Sequence, residues 1–213
     1  MRATRTGSVT RKGRPTADDA RRKMAQVLSV ATEQFGQMGY RAVTMRGVAE
    51  KAQVSTRTLY NRYADKLSLF TACLDFESQA FPLPAALPGE TVEAVLERYA
   101  VGIVRALSSD SSKRLGMLVY RDSLEFPELL RAAEVHEDRL LIQPLATYLR
   151  TIGLESEDSD ERAKLFLAMA LAQWHRRGTY RRPPPQKDQV IRHASLVVKT
   201  FLYGALTPDG QAR

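Results

Sequence analysis

The chain has one cysteine, Cys73, three scattered histidines, and no apolar run longer than 165–172 in its 213 residues. A single thiol closes no internal disulfide, which excludes a small bridge-stapled secreted scaffold and makes the reducing cytoplasm the expected compartment. Cys73 itself reads as buried packing, with a thiol sensor as the alternative. The apolar run falls far short of the roughly 18 residues a membrane span needs. The basic opening MRATRTGSVTRKGR leads into no apolar stretch, so neither a signal peptide nor a membrane partner is expected. His136, His175 and His193 show no HxH or HExxH spacing, and no metal or cofactor is expected. His136, beside Glu137 and Asp138, reads as a solvated helix face. The sequence also lacks a nucleophile elbow, a phosphate loop and paired catalytic carboxylates in a recognisable motif, so it is not read as an enzyme.

Charge of one sign is what the first third has. The whole chain carries 32 Lys plus Arg against 24 Asp plus Glu, a net +8, with 44% apolar residues, enough to bury a core without help. Up to Lys66 there are 14 cationic and 5 acidic residues; the remainder has 18 and 19. All the excess positive charge therefore sits at one end, as in a module that neutralises phosphates joined to a larger portion with no electrostatic reason to touch a polyanion.

Periodicity predicts an all-α chain. Residues 1–15 hold almost nothing to bury and read as a flexible basic arm. From a Thr16 cap, Met24, Val27, Leu28, Ala31, Phe35 and Met38 recur at helical spacing up to Gly39, a natural left-handed stop. Two short helices follow, over 45–52 behind Thr44 and over 56–63 behind Ser55, almost without a linker. Asp65 opens a fourth, which connects through 66–81 to the prolines Pro82, Pro84 and Pro88. Further helices are predicted over 92–107, 113–124, 127–152, 160–177 and 187–206. Pro127 suits a first helical turn, Pro144 should kink the helix around it, and Arg182-Pro183-Pro184-Pro185 should separate the last two.

The two short helices form a helix-turn-helix. Val48, Ala49 and Ala52 face inward from the first; Val54, Leu59 and Tyr63 do so from the second. Burying that side frees the opposite face of the second helix, with Thr56, Arg57, Thr58, Tyr60, Asn61 and Arg62. These hydrogen-bonding tips suit groove edges and phosphates, and the Ser55 end turns peptide N–H groups outward.

With those residues in place, 25–74 resembles the DNA-binding domain of the TetR family of bacterial transcription regulators. Phe35, Gly39-Tyr40, Thr44 with Arg46, Val48-Ala49, Val54-Ser55, Thr58-Leu59-Tyr60, Tyr63, and Lys66 with Leu67 and Phe70 carry the resemblance. It implies that Thr44 binds a backbone phosphate and that Arg46 reaches a base edge or phosphate. Thr56 and Arg57 would read bases, Tyr60 would hold a phosphate, and Lys66 would clamp the backbone, with Ser55, Thr58, Asn61 and Arg62 on the same surface. One position departs from the pattern: Gln53 stands in the turn where the family usually has Gly, at a left-handed position costing an L-residue on the order of 1 kcal/mol. In the arm, Arg2, Arg5, Arg11, Lys12 and Arg14 either enter the adjacent minor groove or form a solvated tail.

The expected architecture is thus an N-terminal three-helix DNA-binding domain over 16–66 followed by a larger helical domain over 82–213. The resemblance implies that this second domain binds a small-molecule effector and dimerises through its last two helices. The run LVYRDSLEFPELL with its following helix more loosely resembles AefR-like C-terminal domains. Tyr99, Ile103, Tyr120, Arg121, Glu125, Phe126, Met169 and Gln173 are the candidate pocket residues, although Met and aromatics at helical spacing serve equally as core. Arg121 and Glu125, four apart, either pair with each other or orient a polar ligand group. Leu167, Leu171 and Trp174 with Val190, Ala194, Val197 and Phe201 are the candidate dimer interface; the alternative buries them inside one protomer. The expected partners are a palindromic double-stranded DNA operator, a second copy of the chain and an unidentified effector.

Overall fold

The computed structural model describes residues 17–154, 158–180 and 182–204. The predicted arm, its cationic residues, the Thr16 cap and the last residues of the final predicted helix lie outside these. The described chain is all-α, without a strand: α1 (Ala17–Ala42), α2 (Met45–Lys51), α3 (Thr56–Arg62), α4 (Lys66–Glu77), α5 (Val92–Leu107), α6 (Asp110–Asp122), α7 (Pro127–Glu137), α8 (Gln143–Thr151), α9 (Ser159–Thr179) and α10 (Lys187–Tyr203). The starts are set by short polar side chains that accept a hydrogen bond from a first-turn N–H: Thr44, Ser55, Asp65, Thr91 and Ser109. Asp65 and Ser68 complete a reciprocal capping box at α4.

Pro144 sits in the first turn of α8 without ending the helical run. The rod from α7 to α8 is continuous, and a widened π turn, Asp138–Ile142, lies just ahead of the proline. Proline removes one N–H and crowds the preceding turn, and an extra residue per turn relieves both. The buried Tyr99 hydroxyl donates to the Leu141 carbonyl of that turn at 3.1 Å, giving a disturbed backbone a partner inside the core.

Two apolar cores share the molecule. The first is built by α1 to α4 around Phe35, Leu59, Leu69 and Phe70, and is closed by Leu115 and Leu118 of α6 and Leu129 of α7. In it Phe35, Tyr40 and Phe70 form an aromatic triangle with centroids 5.4–6.0 Å apart. The second joins α5, the π turn, α8, α9 and α10 around Tyr99, Ile103, Leu145, Phe166 and Val198. α6, although it follows α5 in sequence, thus seals the N-terminal core, and the two halves meet along the α6–α7 corner.

Candidate nucleic-acid interface

The turn between α2 and α3 explains how the two helices cross so closely. Gln53 takes φ 54°, the one non-glycine described residue with positive φ. Its N–H donates to the Glu50 carbonyl and that of Val54 to the Ala49 carbonyl, at 3.1 and 3.0 Å, the paired bonds of a Schellman stop. The left-handed strain expected at Gln53 is present in the fold. Val48, Ala49, Ala52 and Leu59 are fully buried beneath the pair, and Tyr63 nearly so.

That burial leaves one face of α3 in solvent. Leu59 is its sole buried residue. Arg57, Thr58, Tyr60, Asn61 and Arg62 are exposed and Thr56 partly so. The side chains of Arg57, Tyr60 and Asn61 make no hydrogen bond or ion pair with other described residues. Ser55 and Thr58 are differently placed: the Ser55 hydroxyl accepts from the Thr58 N–H at 3.0 Å and shares a hydrogen bond with the Thr58 hydroxyl at 2.7 Å. Their first duty is therefore the cap. The Thr44 hydroxyl accepts from the Gly47 N–H and keeps its own proton for an outside acceptor. Arg46 donates to Glu50 at 2.7 Å in an exposed pair, an interaction weak enough to exchange for a phosphate.

Lys66 does not stand free. Its ammonium donates to the Tyr40 carbonyl at 2.7 Å and lies 4.3 Å from the centre of the Tyr40 ring. Burial, followed by the nearby Arg41 charge, lowers its pKa, with Glu128 acting in the opposite direction. Lys66 thus ties the start of α4 to the end of α1, while its ammonium, with three N–H donors and the Tyr40 and Arg41 carbonyls as partners, keeps a donor for a phosphate.

Sequence reasoning missed the contacts behind this surface. The Tyr40 N–H, left without a helical partner just after Gly39, donates at 2.7 Å to the Asp122 carboxylate at the end of α6, 82 residues away. Arg121 donates to the same carboxylate at 2.6 Å, and this, with the Tyr40 N–H, holds Asp122 below the usual carboxylate range. Glu125 pairs with Arg41, and Phe126 packs edge-on against Tyr40 at 5.0 Å. Glycine suits position 39 because its φ of 81° strains any L side chain, and a Cβ there would also lie 3.1 Å from the Asp122 carboxylate. No short-range pattern announces such a clamp; only the resemblance to Gly39-Tyr40 marked its near half.

The candidate pocket residues do not converge. Tyr99 and Ile103 are fully buried packing, Tyr120 is 83% exposed, and Phe126 belongs to the N-terminal core. Arg121 and Glu125 pair with Asp122 and Arg41 and not with each other, because the end of α1 lies between their reaches. Met169 and Gln173 line two separate grooves on the outer side of α9 and α10.

The candidate dimer stripe is likewise redistributed. Leu167, Leu171, Val190, Ala194 and Val197 lie inside the protomer's own second core, leaving Trp174 and Phe201 half-buried at its edge. A helix with two apolar stripes does not reveal which one its own chain covers, and α10 turns this one toward α5 and α9. The outward apolar side chains are instead Leu165, Ala168, Ala172, Ile191 and Leu196, of which Leu165 and Leu196 are 61% and 64% exposed. Cys73 is wholly buried, and burial pushes its thiol up to about 12, leaving no thiolate at neutral pH.

A crossed helix pair presenting the polar face of its second member, set on a helical bundle, defines a helix-turn-helix regulator fold. Residues 27–73 match the family model of bacterial regulatory proteins, tetR family. Among solved structures, a protein assigned to the TetR family from Mesorhizobium loti is 25% identical, with a TM-score of 0.69 over 86% of this chain and 96% of that one. The Flavonoid-responsive Regulator FrrA is 22% identical, TM-score 0.68, over 85% and 95%. A TetR family transcriptional regulator from Pseudomonas syringae pv. tomato is 20% identical, TM-score 0.66, over 88% and 97%. None of the curated proteins matches the chain. The chain carries a TetR-type DNA-binding domain and has the fold of TetR-family transcriptional regulators. Among the described residues no helix is long and apolar enough to cross a membrane.

Proposed function

We propose that the protein is a homodimeric, cytoplasmic repressor that binds a palindromic operator through α3 of each protomer and leaves it when a small-molecule effector binds the C-terminal half. The observation that carries this reading is the exposed, hydrogen-bonding face of α3 within a TetR-type domain, on which the side chains of Arg57, Tyr60 and Asn61 have no partner among the described residues. Thr56, Arg57 and Asn61 read base edges; Thr44, Arg46 and Tyr60 hold phosphates. The outward side chains of α9 and α10, Leu165, Ala168, Ala172 and Leu196, supply the apolar patch for a second copy. Response to an effector is supported by fold likeness to a regulator described as flavonoid-responsive. The LVYRDSLEFPELL run, with its AefR-like resemblance, forms the α6–α7 corner. Through Asp122 and Glu125, movement of the C-terminal half changes the setting of α1 and α4, and effector affinity differs between the DNA-competent and released settings.

A second reading, a DNA-binding protein governed by a protein partner, is favoured by one observation: the candidate pocket residues are dispersed, with Tyr99 and Ile103 wholly buried as packing, Tyr120 83% exposed and Phe126 against the N-terminal core. Genomic-fragment selection with the purified protein near physiological salt, followed by a shift assay against random duplex, tests the shared core of both readings. One palindrome retained by a dimer supports it, whereas weak, sequence-blind, salt-sensitive binding removes specific regulation.

A further inference from the structure

Helices α9 and α10 run antiparallel, as the Phe166–Phe201 ring contact and the hydrogen bonds from His193 to Met169 and from Arg177 to Gln189 show. Where they meet the proline linker, their outer sides part to form an open groove of about 520 Å³. Four arginines line it: Arg176 and Arg177 from the last turns of α9, Arg182 from the linker and Arg192 from α10. Cations in a last helical turn are ordinary complements to the helix dipole. Four converging on one concavity from three segments exceed that need.

How they are held is more telling than their number. Arg177 donates to the Pro183 carbonyl at 2.9 Å and to the Gln189 side-chain oxygen at 3.0 Å, stapling the linker and α10 to α9. The Arg182 guanidinium lies 5.8 Å from the centre of the Tyr180 ring. Neutral groups thus fix both side chains without cancelling their charge. Arg176 has no hydrogen-bonding or ionic partner among the described residues. The sole described carboxylate paired with any of the four is Asp188, 3.9 Å from Arg192 and exposed. On the groove wall, His193 is committed through Nε2 to the Met169 carbonyl at 2.9 Å, leaving Nδ1 as an acceptor in the neutral ring. Gln173 adds a polar surface, and Leu196 at the groove's edge is where it borders the apolar patch assigned to a second copy.

We propose that this groove binds a small organic polyanion carrying at least two phosphate or carboxylate groups, with Arg176 and Arg192 supplying forked contacts and Arg177 and Arg182 the surrounding field. Guanidinium forks match the paired oxygens of both groups. The groove's concavity and size suit a small molecule better than a duplex backbone, which would need a longer convex track. This site is separate from the α3 surface and does not depend on DNA recognition.

Titration calorimetry of the full chain with inorganic pyrophosphate and with citrate, at constant ionic strength and with chloride as control, tests it. One saturable site per protomer is expected for at least one probe, and the Arg176→Ala, Arg192→Ala double variant should weaken it by about tenfold or more with unchanged thermal unfolding. The corresponding double Lys variant keeps the charges but loses the forks, and should fall between. Equal competition by chloride, or equal affinity in the alanine variant, overturns the proposal. So does a variant that loses affinity for random duplex while binding the small anions as before, which would make the groove a nucleic-acid surface.

Discussion

The exposed faces of α3 and of the α9–α10 pair both rest on buried apolar residues, yet differ in what they leave in solvent. α3 buries Leu59 alone and presents a uniform row of hydrogen-bonding tips, several with no partner in the chain. The outer side of α9 and α10 is divided: Leu165, Ala168 and Ala172 along the middle of α9, then a cluster of arginines toward the linker. A short helix pinned by one core residue has a single job to offer, and its chemistry names the partner class. A long pair that builds a core on one side and divides its other side between apolar and cationic surface can serve two partners, and periodicity alone assigns neither.

The contrast can be broken from its foundations upward. Phe70 is fully buried in the aromatic triangle beneath the DNA-facing helices, so Phe70→Ala should cost about 3–5 kcal/mol and remove DNA binding with it, as read by chemical denaturation beside a shift assay. Leu165→Glu with Leu196→Glu places charges on exposed apolar positions. The protomer should still fold by circular dichroism, while sedimentation shifts from dimer to monomer; an unchanged dimer would move the interface elsewhere. Arg57→Ala should cost about 1–3 kcal/mol at particular base pairs, against a uniform loss for Tyr60→Phe, and equal losses on specific and random DNA would remove that division of roles.

The corner offers a finer test. Because Asp122 is held below its ordinary pKa, its contribution to stability is complete above the unfolded value of about 3.9 and disappears as pH falls through the lower folded value. Asp122→Asn should therefore lower stability at neutral pH and flatten the acid limb of the pH–stability curve; a limb of unchanged slope would show that the clamp contributes little. The smallest effect is a gain. Gln53→Gly relieves the left-handed residue of the turn and should add about 1 kcal/mol, or about 2–4 °C in Tm for a chain of this size, with DNA preference unchanged.

Most of the N-terminal arrangement was legible in the sequence because its determinants are local. Caps at Thr44, Ser55 and Asp65, the inward set Val48, Ala49, Ala52, Leu59 and Tyr63, and the left-handed Gln53 all act within a few residues of one another. What escaped was long-range. Nothing near Tyr40 or Asp122 specifies their pairing, and nothing within α6 says that Leu115 and Leu118 seal the first core. The helix containing Pro144 was visible, but its widened turn was not, since proline disfavours a straight α-helix without dictating the remedy. In the C-terminal half, the apolar stripes were visible and their destinations were not, so Leu167, Leu171, Val190, Ala194 and Val197 belong to the protomer core and the candidate pocket residues scatter.

Hydroxyl-radical footprinting of the full chain on its selected genomic fragment tests the central claim most directly, because it reads the geometry of paired α3 helices on DNA. Two protected patches on one face of the duplex, related by a two-fold axis and centred about 34–36 Å apart or a multiple of one helical turn, are expected. A single patch, or protection spread evenly along the fragment, would contradict paired helix-turn-helix recognition by a dimer.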